Sequence, residues 1–237
     1  MQQPALPRIF YNREQRGALA LRKSDQKGGL MPKGRMEAMS DGVIAIIITI
    51  MVLTISAPEG ATLEDLASLG PAVLSYAISF VGVGTYWNNH HHLLNLVQRV
   101  DGRMLWSNLL FLFVMSFMPA ATDWLQKTHF QTLPTTVYVV LNLLLSLSYM
   151  NLERVIRHDL ACQYSVTGME DLQKRSLVKE RATLGLEVAG IVLAIFAPQT
   201  HIALAAIALA FAFWVVPDLR IVHLLDFMSS DTEDGAR

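Results

Sequence analysis

The sequence has few of the residues that disulfide-bonded and catalytic soluble proteins use. It has one cysteine, Cys162, so no disulfide can form within the chain. Charged residues make up 16% of the 237 positions against 52% hydrophobic residues, which is more apolar than a soluble domain of this size usually is. A phosphate-binding glycine loop, a zinc-protease motif, a nucleophile elbow and a TVGYG carbonyl filter are all absent. We therefore expect an all-α integral membrane protein that is not an enzyme and needs no cofactor.

Apolar segments near the length of about 20 residues that a helix needs to cross hydrocarbon recur along the chain. They predict six transmembrane helices, at about 36–57, 71–97, 104–124, 133–153, 181–197 and 201–216. These helices would form one domain, 35–225, between a basic, flexible N-terminal arm, 1–34, and a C-terminal tail, 226–237. The last two segments are short, so a hairpin that crosses only in part is the alternative. Pro119 is expected to kink the third helix.

The basic residues predict the orientation. If the N-terminus is cytoplasmic, all 19 Lys and Arg residues except Lys127 fall on the cytoplasmic side. We therefore expect a multi-pass protein of the plasma membrane with both termini in the cytoplasm. The lipid bilayer is its expected surrounding, and no nucleic-acid partner is expected.

A charged and hydroxyl-bearing stretch, 34–43, runs directly into the apolar stretch 44–55 of the first helix. Asp41 lies where the helix enters hydrocarbon, and a carboxylate there is costly unless it has a partner. His90 or His91 of the second helix is one such partner. The predicted topology brings polar residues of three helices to one depth: Arg35, Ser40, Asp41, His90, His91 and Asn108.

Three adjacent histidines, His90–His92, suggest a metal site, but neighbouring side chains on a helix point about 100° apart. They cannot all face one ion, so we expect no metal site and favour structural hydrogen bonds, with pH sensing as an alternative. Glu187 in the fifth segment lies less than two helical turns from Arg181, and we expect it to extend toward the cytoplasmic surface.

The first helix has an apolar stripe. Ile46, Ile50 and Leu53 recur at spacings of four and three residues, which places them on one face with Thr49 beside them. Almost any apolar helix has such a stripe, so spacing alone favours packing or lipid contact as its role.

The first helix resembles the signature of a known family. The stretch 35–41 carries Arg-x-x-x-Met-Ser-Asp, where the family of the endolysosomal potassium channel, transmembrane protein 175, has Arg-x-x-x-Phe-Ser-Asp. Met39 replaces the phenylalanine with a side chain of similar volume. The resemblance extends to the second and third helices through Tyr86-Trp87-x-x-His90-His91 and Asn108 with Phe117-x-Pro119.

This resemblance implies a potassium-permeable channel in which four chains surround a central pore lined by the first helix. It implies constriction rings at Ile46, Ile50 and Leu53, with Thr49 between them. It also implies that the polar residues Arg35, Ser40, Asp41, His90 and His91 tie the pore helix to its neighbours.

An apolar neck of this kind gates by dewetting, and it predicts a weak to moderate preference for potassium over sodium. The Thr49 hydroxyl would face the ion or bond back to its own helix. A secondary or proton-coupled transporter that uses Asp41, Glu187 and the histidines is the alternative function, and a membrane-embedded enzyme or metal protein built on His90–His92 is a third.

Overall fold

The computed structural model describes residues 31–97, 99–163, 169–196 and 201–215. The C-terminal tail and all but the last four residues of the N-terminal arm lie outside the described residues. The described part is helical apart from one short pair of strands. Its elements are β1 (Met31–Pro32), α1 (Lys33–Leu53), α2 (Leu63–Ser68), α3 (Gly70–Asn95), β2 (Arg99–Val100), α4 (Gly102–Met115), α5 (Met118–Lys127), α6 (Thr132–Gln163), α7 (Met169–Phe196) and α8 (His201–Val215).

Four helical stretches of the described chain are long and apolar enough to cross a membrane: Lys33–Leu53, Leu63–Asn95, Gly102–Lys127 and Thr132–Asp159. They correspond to the first four predicted crossings. The fifth and sixth predicted crossings fall on α7 and α8, and the apolar stretch Ile202–Ala212 of α8 is shorter. Length and composition therefore support a multi-pass membrane protein with four crossings, and two of the six predicted crossings lack this support.

The start of α1 is fixed by the short strands. Met31 pairs with Val100 and Pro32 with Arg99 in an antiparallel arrangement, which ties the chain before α1 to the loop between α3 and α4. The helix ends at Leu53, four residues before the predicted boundary. The Thr54 hydroxyl donates to the Met51 carbonyl at 2.8 Å and so satisfies one of the free carbonyls at the helix end.

The third predicted helix is broken in two. Residues Ser116 and Phe117 separate α4 from α5, and Pro119 lies in the first turn of α5. Proline has no backbone N–H with which to continue the hydrogen bonds of α4, so the chain turns before it. The predicted kink is confirmed.

The neighbouring helices pack against one side of α1. α1 contacts α3, α4 and α5, while α6 lies against α4, α5 and α7, and α8 contacts α7 and α3. Gly82 of α3 lies against the Phe211 ring of α8, where a side chain at position 82 would collide with it, so glycine allows this close approach. Gly84, two residues further along α3, has no such neighbour and faces open space. The core therefore holds one face of α1 and leaves the other face uncovered.

Candidate pore helix and its polar support

Ser40, Asn108 and His90 form a buried hydrogen-bonded chain across α1, α4 and α3. The Ser40 hydroxyl donates to the Met36 carbonyl at 2.8 Å, and its oxygen accepts from Asn108 Nδ2 at 2.9 Å. Asn108 Oδ1 lies 2.8 Å from His90 Nε2. Since the Asn108 amino group is committed to Ser40, its oxygen accepts and His90 Nε2 donates. The chain satisfies these buried polar atoms and fixes three helices against one another.

The His90 ring is also held by an aromatic contact. It stacks on Phe111 with ring centroids 5.7 Å apart and an interplanar angle of 15°. Both rings are buried. The imidazole therefore has a hydrogen bond at one edge and an aromatic ring on one face, so its orientation is fixed.

A second set of polar contacts joins the first half of α1 to α3. Lys33 Nζ donates to Asn95 Oδ1 at 3.0 Å, His91 Nδ1 lies 3.2 Å from Glu37 Oε1, and Trp87 Nε1 donates to Asp41 Oδ1 at 2.9 Å. The partners are spaced by four residues on each helix and run in opposite directions, as two antiparallel helices require. We call these three pairs the polar ladder.

The polar ladder differs from the sequence expectation in two partners. Asp41 bonds to Trp87, where we expected a histidine, and His91 pairs with Glu37, which sequence reasoning missed. The signal that could have identified Glu37 is its spacing of four residues from Asp41, which places both carboxylates on one face of α1. An indole N–H and a partly exposed imidazole lower the cost of placing two carboxylates at the entrance to the apolar part of α1.

Arg35 is not joined to these contacts. Its side chain is exposed, and it makes no hydrogen bond or ion pair with the described residues of its own chain. It lies eleven residues, or about three helical turns, before Ile46 and therefore on the same side of α1. The structure thus brings Ser40, His90 and Asn108 together and leaves Arg35 apart from them.

The predicted stripe lies on the uncovered face of α1. Ile46 is 57% exposed and Leu53 is 79% exposed, and Ile50 is exposed as well. Ile47, the next residue after Ile46, is only 4% exposed because it packs in the core, and Ile44 is buried with it. Chain packing therefore accounts for one face of the helix and leaves the stripe without a partner among the described residues.

Thr49 bonds back to its own helix. Its hydroxyl lies 3.0 Å from the Ala45 carbonyl and 2.9 Å from the Ile46 carbonyl, and it donates to them. The side chain is exposed on the same face as Ile46. Because the proton is committed to the helix, the oxygen lone pairs are left to face outward, where they suit a cation.

The histidines diverge as helix geometry requires. His90 turns to Asn108 and His91 to Glu37. No group of three His, Cys, Asp or Glu side chains suited to a metal ion occurs in the part of the chain that the structure describes. The arrangement is one of separate structural contacts.

Glu187 does not extend to the surface, so that expectation is wrong. Its side chain is 1% exposed, and its Oε1 accepts a hydrogen bond from the Ser146 hydroxyl of α6. The Tyr86 hydroxyl lies 2.7 Å from the same serine oxygen. The partner of the Glu187 carboxyl group is thus a hydroxyl 41 residues earlier in the chain, and not solvent. The sequence of α7 alone does not indicate this partner. Asp41 and Glu187 have different partners and share no site.

Comparison with known proteins places this arrangement in a family. The family model described as endosomal/lysosomal potassium channel TMEM175 matches residues 35–119, from α1 to the start of α5. The chain is also 41% identical over 191 residues to a protein named potassium channel from Chryseobacterium sp. (strain P1-3), covering 81% of this chain and 96% of that one. This chain belongs to the TMEM175 family. The family is one of channels, so the expectation that the chain is not an enzyme is confirmed.

The similarity reaches solved structures and animal proteins. A crystal structure described as a lysosomal potassium-selective channel TMEM175 homolog from Chamaesiphon minutus matches with a TM-score of 0.65 and 25% identity, covering 80% of this chain and 97% of that one. A protein from Gallus gallus named endosomal/lysosomal proton channel TMEM175 is 34% identical over 115 residues, which are 42% of this chain and 23% of that protein. The matched family region, 35–119, contains all the residues of the stripe and of its polar support except Lys33.

Proposed function

We propose that this chain forms a potassium-permeable cation channel whose pore is lined by α1. The observation that carries the proposal is the uncovered stripe of α1, a helix whose opposite face packs in the core of its own chain. A helix that is fixed on one side and free on the other suits a pore wall. The relatives named potassium channel support the choice of ion.

The pore would form between copies of the chain, and we propose four copies around one axis. Facing copies would bring Ile46, Ile50 and Leu53 together as successive apolar rings. A narrow apolar ring excludes water when it is tight, and such a constriction gates by dewetting. Potassium holds its water less tightly than sodium, so a neck without carbonyl ligands would favour potassium weakly to moderately.

Thr49 would lie between the rings. With its proton donated to the helix, its oxygen offers each permeating potassium ion one polar contact on an otherwise apolar wall. Four such oxygens would replace a part of the water that the ion loses. Thr49 is therefore the polar element of the proposed constriction.

The polar contacts would hold α1 in register with the pore axis. Ser40, His90 and Asn108 fix its inner face, and Asp41 and His91 act through the polar ladder. Arg35 lies on the exposed side near the predicted cytoplasmic end, so in an assembled channel its partner would come from a neighbouring copy. We place the channel in the plasma membrane with both termini in the cytoplasm.

The transporter alternative has less support. A proton-coupled carrier that uses Asp41, Glu187 and the histidines needs these groups in one site or along one path. Asp41 bonds to Trp87, and Glu187 bonds to Ser146 in a separate cluster. The described side chains therefore give that mechanism no common site.

Ion flux tests the proposal. Purified protein in sealed liposomes with a potassium gradient is expected to carry potassium, with a smaller flux when sodium replaces it. Ile46→Asn is expected to raise the flux because a polar ring keeps water in the neck. Leu144→Asn is the matched control, since Leu144 is a similarly exposed apolar residue on α6, and it is expected to leave the flux unchanged.

Two results would count against a pore on α1. One is flux that Ile46→Asn leaves unchanged, and the other is flux that both substitutions change equally. Saturable flux driven by a counter-ion would favour a carrier.

A further inference from the structure

The Glu187 carboxyl group is buried without a charged partner. Its Oε1 accepts from Ser146, but Oε2 is buried and has no hydrogen-bond partner among the described residues. An ionised carboxylate removed from water is costly unless it is paired and hydrogen-bonded at both oxygens. The geometry is therefore unfavourable for a negative charge at this position.

The hydrogen-bonded groups that lead from Glu187 are neutral hydroxyls. α6 contributes Ser146, and α3 contributes Tyr86, whose ring lies 5.6 Å from that of Tyr149 on α6. The described part of α8 that packs on α7, Ile202–Ala212, contains no ionisable residue. Among the described side chains, no Lys, Arg or His forms an ion pair with Glu187.

We propose that Glu187 is a proton-binding site whose carboxyl group is held as the neutral acid in the folded protein at neutral pH. The hydrogen bonds then run in one direction: the Tyr86 hydroxyl donates to Ser146, Ser146 donates to Glu187 Oε1, and the bound proton lies on Oε2. The Tyr86 and Ser146 hydroxyls each donate once, and no net charge is buried. The protonation of Glu187 does not depend on ion conduction.

The neutral acid joins α7 to the polar support of α1. Tyr86 packs against Phe111 with ring centroids 5.8 Å apart. Phe111 also stacks on His90, which bonds to Asn108. Tyr86 and His90 are four residues apart on α3 and thus lie on one face. The Glu187 carboxyl group is therefore connected through Ser146, Tyr86 and Phe111 to the contacts that hold α1.

Infrared spectroscopy of the full chain in lipid at pH 7 tests the site. The wild-type protein is expected to have the stretching band of a protonated carboxyl group, equivalent to one group per chain. Glu187→Gln keeps the size and the acceptor oxygen but cannot ionise, and this variant is expected to lose the band. Glu64→Gln is the matched control because Glu64 is exposed on α2, and it is expected to keep the band.

Ser146→Ala provides a second test that does not require the Glu187 variant to fold. Removing the donor to Oε1 leaves the carbonyl of the neutral acid without its hydrogen bond, so the band is expected to move to higher frequency without disappearing. A band that stays in place in Ser146→Ala overturns the proposal. So does a folded Glu187→Gln protein that keeps the wild-type band.

A bound metal cation would also neutralise the Glu187 carboxylate. Replacing the cations in solution distinguishes such an ion from a bound proton. Replacing potassium and sodium by a bulky organic cation is expected to leave the unfolding temperature difference between wild type and Glu187→Gln unchanged. If wild type alone loses stability on this replacement, and no carboxylic-acid band is present, the site binds a metal cation and the proposal is wrong.

Discussion

The two faces of α1 differ in what surrounds them, although both are largely apolar. The inner face carries Met36, Ile44 and Ile47 into the core and places Ser40 in a buried hydrogen-bonded chain. The outer face carries Ile46 and Leu53, which the described residues of the same chain leave uncovered. Burial, and not hydrophobicity, therefore separates the residues that fold the chain from those available for a pore.

The largest expected difference is between two adjacent isoleucines. Ile47→Ala is expected to lower the free energy of unfolding by about 2–5 kcal/mol because it leaves a cavity in the core. Ile46→Ala removes the same atoms from the exposed face, and its expected cost is about 1 kcal/mol or less. Thermal unfolding of both variants in detergent measures the difference, and equal losses would remove the distinction between the two faces.

The next effect concerns the buried polar chain. Asn108→Ala is expected to lower the free energy of unfolding by about 1–3 kcal/mol because it leaves the Ser40 oxygen and the His90 N–H without partners. A double-mutant cycle with Ser40→Ala measures their coupling. Asn151→Ala, at an exposed asparagine of α6 bonded to Ser107, is the control with a smaller expected loss. Equal losses for Asn108 and Asn151 would contradict the role of the chain.

The smallest expected effect on stability is at Thr49. Thr49→Val keeps the shape of the side chain and removes its oxygen, and the free energy of unfolding is expected to change by about 0.5 kcal/mol or less. Potassium flux is expected to fall, since the proposed constriction loses its polar contact. Paired measurements of unfolding and of potassium and sodium flux check this. An unchanged flux and ion preference would exclude Thr49 from the conduction path.

Much of the fold follows from the sequence because hydrophobic length and proline act locally. The first four crossings follow from apolar runs, and the break before Pro119 follows from its missing N–H. The depth of Ser40, His90 and Asn108 also follows from the topology. None of these features depends on how one helix is rotated against another.

The remaining contacts depend on helix rotation, which the sequence does not specify. Trp87 donates a hydrogen bond to Asp41 because the side of α3 that carries Trp87 and His91 faces α1. Glu187 is buried because Ser146 of α6 meets it there, so the expectation that it reaches the surface is wrong. The hydrogen-bond partners of these side chains come from distant segments of the chain. Periodicity within one helix does not identify such partners.

The most direct test of the central claim compares cysteines on the two faces of α1. In a Cys162→Ala background, Ile50→Cys and Ile47→Cys would be reconstituted separately, and potassium flux measured before and after adding silver ions, soft cations that bind thiolates. We predict block at position 50, on the exposed face, and none at position 47, in the core. Block at 47 but not at 50, or active channels that silver leaves unaffected at both positions, would contradict a pore lined by the exposed face of α1.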